Sequence, residues 1–123
     1  MYSQVKFSEL EGKTLSNVDV RDDRINFVCS DGLVLHMYHN QDCCESVTVE
    51  DVCGCIEHLI GSPIVLAEEV SNEPDPGPMS EWHDSYTWTF YKIATTKGAV
   101  TIRWYGTSNG YYSEGVDLCW LQD

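Results

Sequence analysis

Two short runs hold the residues most able to do chemistry: His39-x3-Cys43-Cys44 and Cys53-x-Cys55-x2-His58. Imidazole nitrogens and thiolates are the donors that hold Zn²⁺ tetrahedrally in structural sites, and such a site contributes directly to folding. Adjacent cysteines need loop geometry before both can face one ion. On a helix, Cys53 and Cys55 stand about 200° apart around the axis, so they cannot both aim at one ion with His58. The expected ligand set is therefore His39, one or both of Cys43 and Cys44, Cys55 and His58. Cys53 is expected on the apolar side beside Val49, Val52 and Ile56. The spacing fits no recognised zinc-finger pattern. Buried structural thiols, and a redox or disulfide role, are the competing readings of the same residues.

A thiol beside an imidazole can also act as a nucleophile. Cys43 or Cys44 with His39 or His58 would supply that dyad, but the local charge opposes thiolate formation. From Ile25 to Tyr91 there is no lysine or arginine, and the stretch holds twelve of the twenty carboxylates, all four histidines and five of the six cysteines. Glu50-Asp51 and Glu68-Glu69 are adjacent pairs, which a strand or helix would splay apart. No phosphate loop, Gly-x-Ser-x-Gly or His-Glu-x-x-His is present. The expectation is a protein that is not an enzyme. A thiol or metal-dependent enzyme, losing turnover on substitution of Cys43 or Cys44, is one alternative. A small-ligand protein, such as a sponge for a signalling nucleotide built on Tyr105, Asn109, Tyr111 and Tyr112, is another. Scarce cations weigh against phosphate recognition, although Lys92, Lys97 and Arg103 follow the acidic stretch.

The whole chain bears a net charge of −13 over 123 residues. Binding nucleic acid by neutralising phosphates needs Lys and Arg, so direct binding is excluded, and an anionic membrane surface would repel the protein. A basic protein partner or plain solubility suits the charge. The N-terminal residues lack the apolar run of a signal peptide and no segment approaches transmembrane length, so a reducing cytoplasm is expected. The length suits a single domain over 1–123.

The elements that must position these groups read mostly as strands. Thr14–Val20, Arg24–Ser30 and Leu33–His39 are β-prone, and Asp31-Gly32 marks a hairpin between the last two. Alternation puts Leu33, Leu35, Met37 and His39 on one face. Residues 40–45 read as a loop. Thr48-Val49-Glu50-Asp51 resembles a capping box, and Val49, Val52, Ile56, Leu59 and Ile60 recur at helical spacing before Gly61 and Pro63, which predicts a short helix over about 49–60. Pro63–Val70 is a further strand, and Ser71–Asp84, with Glu-Pro-Asp-Pro-Gly-Pro at its centre, an exposed acidic loop. Ser85–Thr95 and Ala99–Tyr105 flank a Lys97-Gly98 turn; Gly106–Gly110 reads as turn-rich and Tyr111–Leu121 as the last strand. The expected fold class is α+β, mostly antiparallel sheet with that one helix.

Several strings resemble a small acidic family encoded by phages and bacteria: His36-Met37-Tyr38-His39, Gln41-Asp42-Cys43-Cys44-Glu45-Ser46-Val47, Leu59-Ile60-Gly61-Ser62-Pro63-Ile64, Thr87-Trp88-Thr89-Phe90-Tyr91-Lys92, Val100-Thr101-Ile102-Arg103-Trp104-Tyr105-Gly106 and Ser108-Asn109-Gly110-Tyr111-Tyr112-Ser113-Glu114. Within it, this chain resembles phage anti-CRISPR inhibitors of type II, RNA-guided nucleases. The resemblance implies action in the host bacterial cytoplasm on a nuclease whose nucleic-acid channels are basic. Glu68, Glu69, Glu73, Asp75, Glu81 and Asp84, in or beside the proline-rich loop, are the expected partner contacts. The chain departs from the family at Cys53, Cys55 and His58, positions that are often acidic there. A metal site common to the family would rest on His39, Asp42, Cys43, Cys44 and Glu45.

Overall fold

A computed structural model describes residues 5–39, 45–71, 85–108 and 116–122. Eight strands form two four-stranded antiparallel sheets. The first contains β1 (Leu15–Val20), β2 (Arg24–Cys29), β3 (Leu33–Tyr38) and β8 (Asp117–Gln122), in that order. The second is ordered β4-β7-β6-β5, with β4 at Glu45–Cys53, β5 at Leu66–Ser71, β6 at Ser85–Thr95 and β7 at Gly98–Ser108. Among the described residues the only helical pieces are two 3₁₀ turns, Phe7–Leu10 and Ile56–Leu59.

The short helix expected over about 49–60 is therefore not formed, and the fold is β-rich rather than α+β. Its first half is strand β4, and only Ile56–Leu59 turns helically. The cause is a bulge. Val49 faces Trp104 and Val52 faces Ile102, while the register slips between Val49 and Asp51. One extra residue turns a period of two into a spacing of three, so Val49 and Val52 both reach the core in a pattern that imitates a helix. The Ser-Val-Thr-Val run at its start favours the pleat. Thr48 does not cap a helix; its hydroxyl donates to Glu50 Oε1 at 2.9 Å. A second irregularity, between Leu15 and Asn17, likewise places Leu15 and Val18 on the core.

Both sheets contribute to one buried cluster. Ile25, Phe27, Leu35 and Met37 come from the first; Tyr91, Ile93, Ile102 and Trp104 come from the second. Phe7, from the N-terminal 3₁₀ turn, sits edge-on to both Phe27 and Tyr91 at centroid distances of 5.8 and 4.9 Å. The Trp104 indole N–H donates to Met37 Sδ at 3.1 Å and so joins the sheets through the core. Main-chain bonds also link them: Gly61 N–H to Leu15 O, Ile64 N–H to Lys13 O and Val49 N–H to Asp22 O.

The Asp31-Gly32 hairpin forms as expected, with Gly32 at φ +93° and the Asp31 carboxylate accepting the Leu33 N–H. The aromatic side chains of β6 and β7 lie on opposite sides of the second sheet. Trp104 and Ile102 point to the core, whereas Trp88 and Phe90 join Tyr105 in a separate aromatic cluster. The strand after the Lys97-Gly98 turn runs on to Ser108, taking in Gly106 and Thr107. No helix among the described residues is long and apolar enough to cross a membrane.

Candidate functional site

The expected metal ligands fall in three places. His39 follows the end of β3 and is buried at 8% exposure, as its place on the Leu35–Met37 face implies. Cys43 and Cys44 lie outside the described residues. Cys55 is exposed where the chain leaves β4, and His58 is exposed in the second 3₁₀ turn. The His58 ring packs against Gly98 so closely that a Cβ there would stand 2.6 Å from Nδ1, and the His58 carbonyl accepts the Thr95 hydroxyl. Among the described residues no three His, Cys, Asp or Glu side chains converge as a metal site. His39, Cys55 and His58 are thus not gathered by themselves into one centre.

Cys53 was expected against the apolar core beside Val52 and Ile56; it is exposed instead, because the bulged strand turns it outward opposite Thr101. There it belongs to a group that the sequence did not reveal. Asp51 Oδ2 accepts the Cys53 thiol at 3.1 Å and the Arg103 guanidinium at 3.0 Å. Arg103 also lies over the Trp88 ring, 5.5 Å from its centroid. The Cys53 hydrogen bond, seconded by the Arg103 charge, holds the Asp51 carboxyl below its usual range. The same bond, with some desolvation, raises the Cys53 thiol above its own. No spacing rule brings residues 51 and 103 together; only the β4–β7 register does.

Of the expected partner contacts, Glu68 and Glu69 are exposed on β5, an edge strand of the second sheet. Glu68 stands across from Lys92 and Glu69 across from Tyr91. The outer edge is partly protected, since Glu11 Oε2 accepts the Ala67 N–H at 3.0 Å. Glu73, Asp75, Glu81 and Asp84 lie outside the described residues, as do Asn109, Tyr111 and Tyr112 of the small-ligand alternative. Tyr105, the remaining member of that group, is packed in the outer aromatic cluster at 4% exposure.

On the first sheet, His36 Nδ1 is hydrogen-bonded to Asn26 Oδ1 and its ring stacks on Tyr38. Burial, helped by the Arg24 charge, lowers its pKa and so favours the neutral ring. Cys29 is buried and Cys119 half-buried, and none of the described cysteines is in a disulfide.

Comparison with curated proteins and with solved structures finds no significant match. A family model described as a domain of unknown function, DUF7448, matches residues 8–118. That span runs from the N-terminal 3₁₀ turn into β8, so the chain belongs to the DUF7448 family.

Proposed function

We propose that the protein is an acidic inhibitor of a basic, nucleic-acid-handling partner, of the anti-CRISPR type that blocks DNA loading by a type II, RNA-guided nuclease in the bacterial cytoplasm. The observation that carries this reading is uncompensated charge. Twenty carboxylates stand against seven Lys and Arg, and four of those cations (Lys13, Arg21, Arg24 and Arg103) are already paired with Asp31, Asp19, Asp23 and Asp51. Glu68 and Glu69 project from an edge strand into solvent, next to the segment that carries Glu73, Asp75, Glu81 and Asp84. Carboxylates on a rigid sheet can stand in for phosphates in a basic channel, and opposite fields accelerate the encounter. The resemblance of the His36–Val47 and Thr87–Glu114 strings supplies the kind of partner.

A structural zinc held by His39, one or both of Cys43 and Cys44, Cys55 and His58 is part of the same reading. Elemental analysis of purified protein should find about one zinc per chain.

The functional test is cleavage by a guide-loaded type II nuclease with the protein added before target DNA. Inhibition should weaken with rising salt, as a steered complex does, and should weaken further when Glu68 and Glu69 are both changed to Lys. Unimpaired DNA loading and cleavage at saturating protein, across nucleases of this type, would refute the proposal.

A further inference from the structure

We propose that Cys53 and Cys55 form a reactive dithiol that exchanges with low-molecular-weight disulfides and closes into a Cys53–Cys55 bond. This concerns the metal-free thiols and does not rest on the inhibitory reading; a zinc on Cys55 would compete with it. Both thiols are free and exposed. Two residues of separation keep their Cα atoms within about 7 Å even when extended, and a disulfide needs about 4.4–6.8 Å. The chain bends at the intervening Gly54, which has φ +116°. A Cβ on Gly54 would stand 2.6 Å from the Ala99 carbonyl oxygen, so the bend holds its place against β7 and accepts no side chain. Cys29, by contrast, is buried, and Cys119 is half-buried on the other sheet.

The two sulfurs have different parts. The Cys53 thiol is held by its hydrogen bond to Asp51 Oδ2; Cys55 has no such carboxylate tie among the described contacts and reacts first. Its thiolate attacks one sulfur of the small disulfide, forming a mixed disulfide and expelling one thiolate. Cys53 then loses its proton to solvent and attacks the Cys55 sulfur, forming the internal bond and expelling the second thiolate. The protein is oxidised by two electrons and the reagent is reduced to two thiols. Asp51 then keeps its Arg103 partner.

The test uses the full chain, oxidised glutathione and a chelator, with intact mass and non-reducing peptide maps followed over time. The wild type should lose two hydrogens, retain no glutathione and give a 53–55 link. Cys53→Ser should instead accumulate one glutathione on Cys55. Cys55→Ser should react several-fold more slowly at Cys53, and adding Asp51→Asn to Cys55→Ser should restore much of that rate. Circular dichroism confirms that each variant is folded. A lasting glutathione adduct on the wild type, a first-formed bond elsewhere (Cys43–Cys44 included), or equal rates at both sulfurs would overturn the proposal.

Discussion

Replacing Gly54 by Ala tests the end of β4 more sharply than any other single change. Gly54 and Gly32 both have positive φ, +116° and +93°. Their surroundings differ: a Cβ at Gly32 meets nothing within 4 Å, whereas one at Gly54 meets Ala99 O at 2.6 Å and Val100 Cα and Cγ2 at 3.2 Å. Both substitutions incur backbone strain of about 1–2 kcal/mol, offset by about 0.4–1 kcal/mol from a stiffer unfolded chain. Gly32→Ala should therefore destabilise by roughly 1 kcal/mol or less. At Gly54 the obstacle is β7 backbone, which cannot rotate away, and relief must strain the Cys53–Thr101 end of the β4–β7 ladder. Losing one net hydrogen bond and some packing there brings the total to about 2–4 kcal/mol. Urea unfolding should show that difference between the variants, and the melting temperature of Gly54→Ala should fall by about 10 °C. Equal stability of the two variants would refute the close approach of Gly54 to β7.

Four further outcomes follow from the core and from the Asp51 group. The Tyr91 hydroxyl is buried without a hydrogen bond of good geometry, although the Glu69 carboxylate lies near enough to act on it as a weak acceptor and as a charge. Tyr91→Phe should therefore be neutral or stabilising, by up to about 1–3 kcal/mol in chemical denaturation; a loss of stability would mean that Glu69 bonds the phenol after all. Burial first, and Glu69 second, raise the Tyr91 pKa far beyond the ordinary range. Its contribution is complete below the unfolded value of about 10 and declines above it, so one phenol should resist ionisation until the protein unfolds in alkali. Trp104→Ala should cost about 3–5 kcal/mol, because it opens a cavity where the sheets meet; Trp104 is 1% exposed. Asp51→Asn removes a carboxyl whose folded pKa is depressed, and so an interaction present above the unfolded pKa and lost as pH falls through the folded one. The variant should show a shallower fall in stability on acidification and faster alkylation of Cys53 in a Cys55→Ser background; unchanged values in both assays would remove the Asp51–Cys53 bond from the account.

Local chemistry wrote much of the fold legibly. Asp31-Gly32 announces its hairpin because the turn needs a residue at positive φ. The alternation in Leu33–Tyr38 and Ser85–Thr95 follows from the two-residue pleat, and the burial of His39 was visible in the same alternation. The helix expected over about 49–60 fails for an equally physical reason: a bulge and a helical turn both place apolar residues three apart, and only pairing with β7 distinguishes them.

Charge, the absence of recognised catalytic motifs and most strand positions are legible without a structure, since they depend on composition or on neighbours a few residues away. Three-dimensional pairing decides that β8 returns to β3, that Trp88 and Trp104 face opposite ways, and that Asp51 gathers Cys53 and Arg103. The β3–β8 and β4–β7 pairings join segments roughly 50 to 90 residues apart, where the energy lies in which side chains share a core and not in the propensity of any one segment.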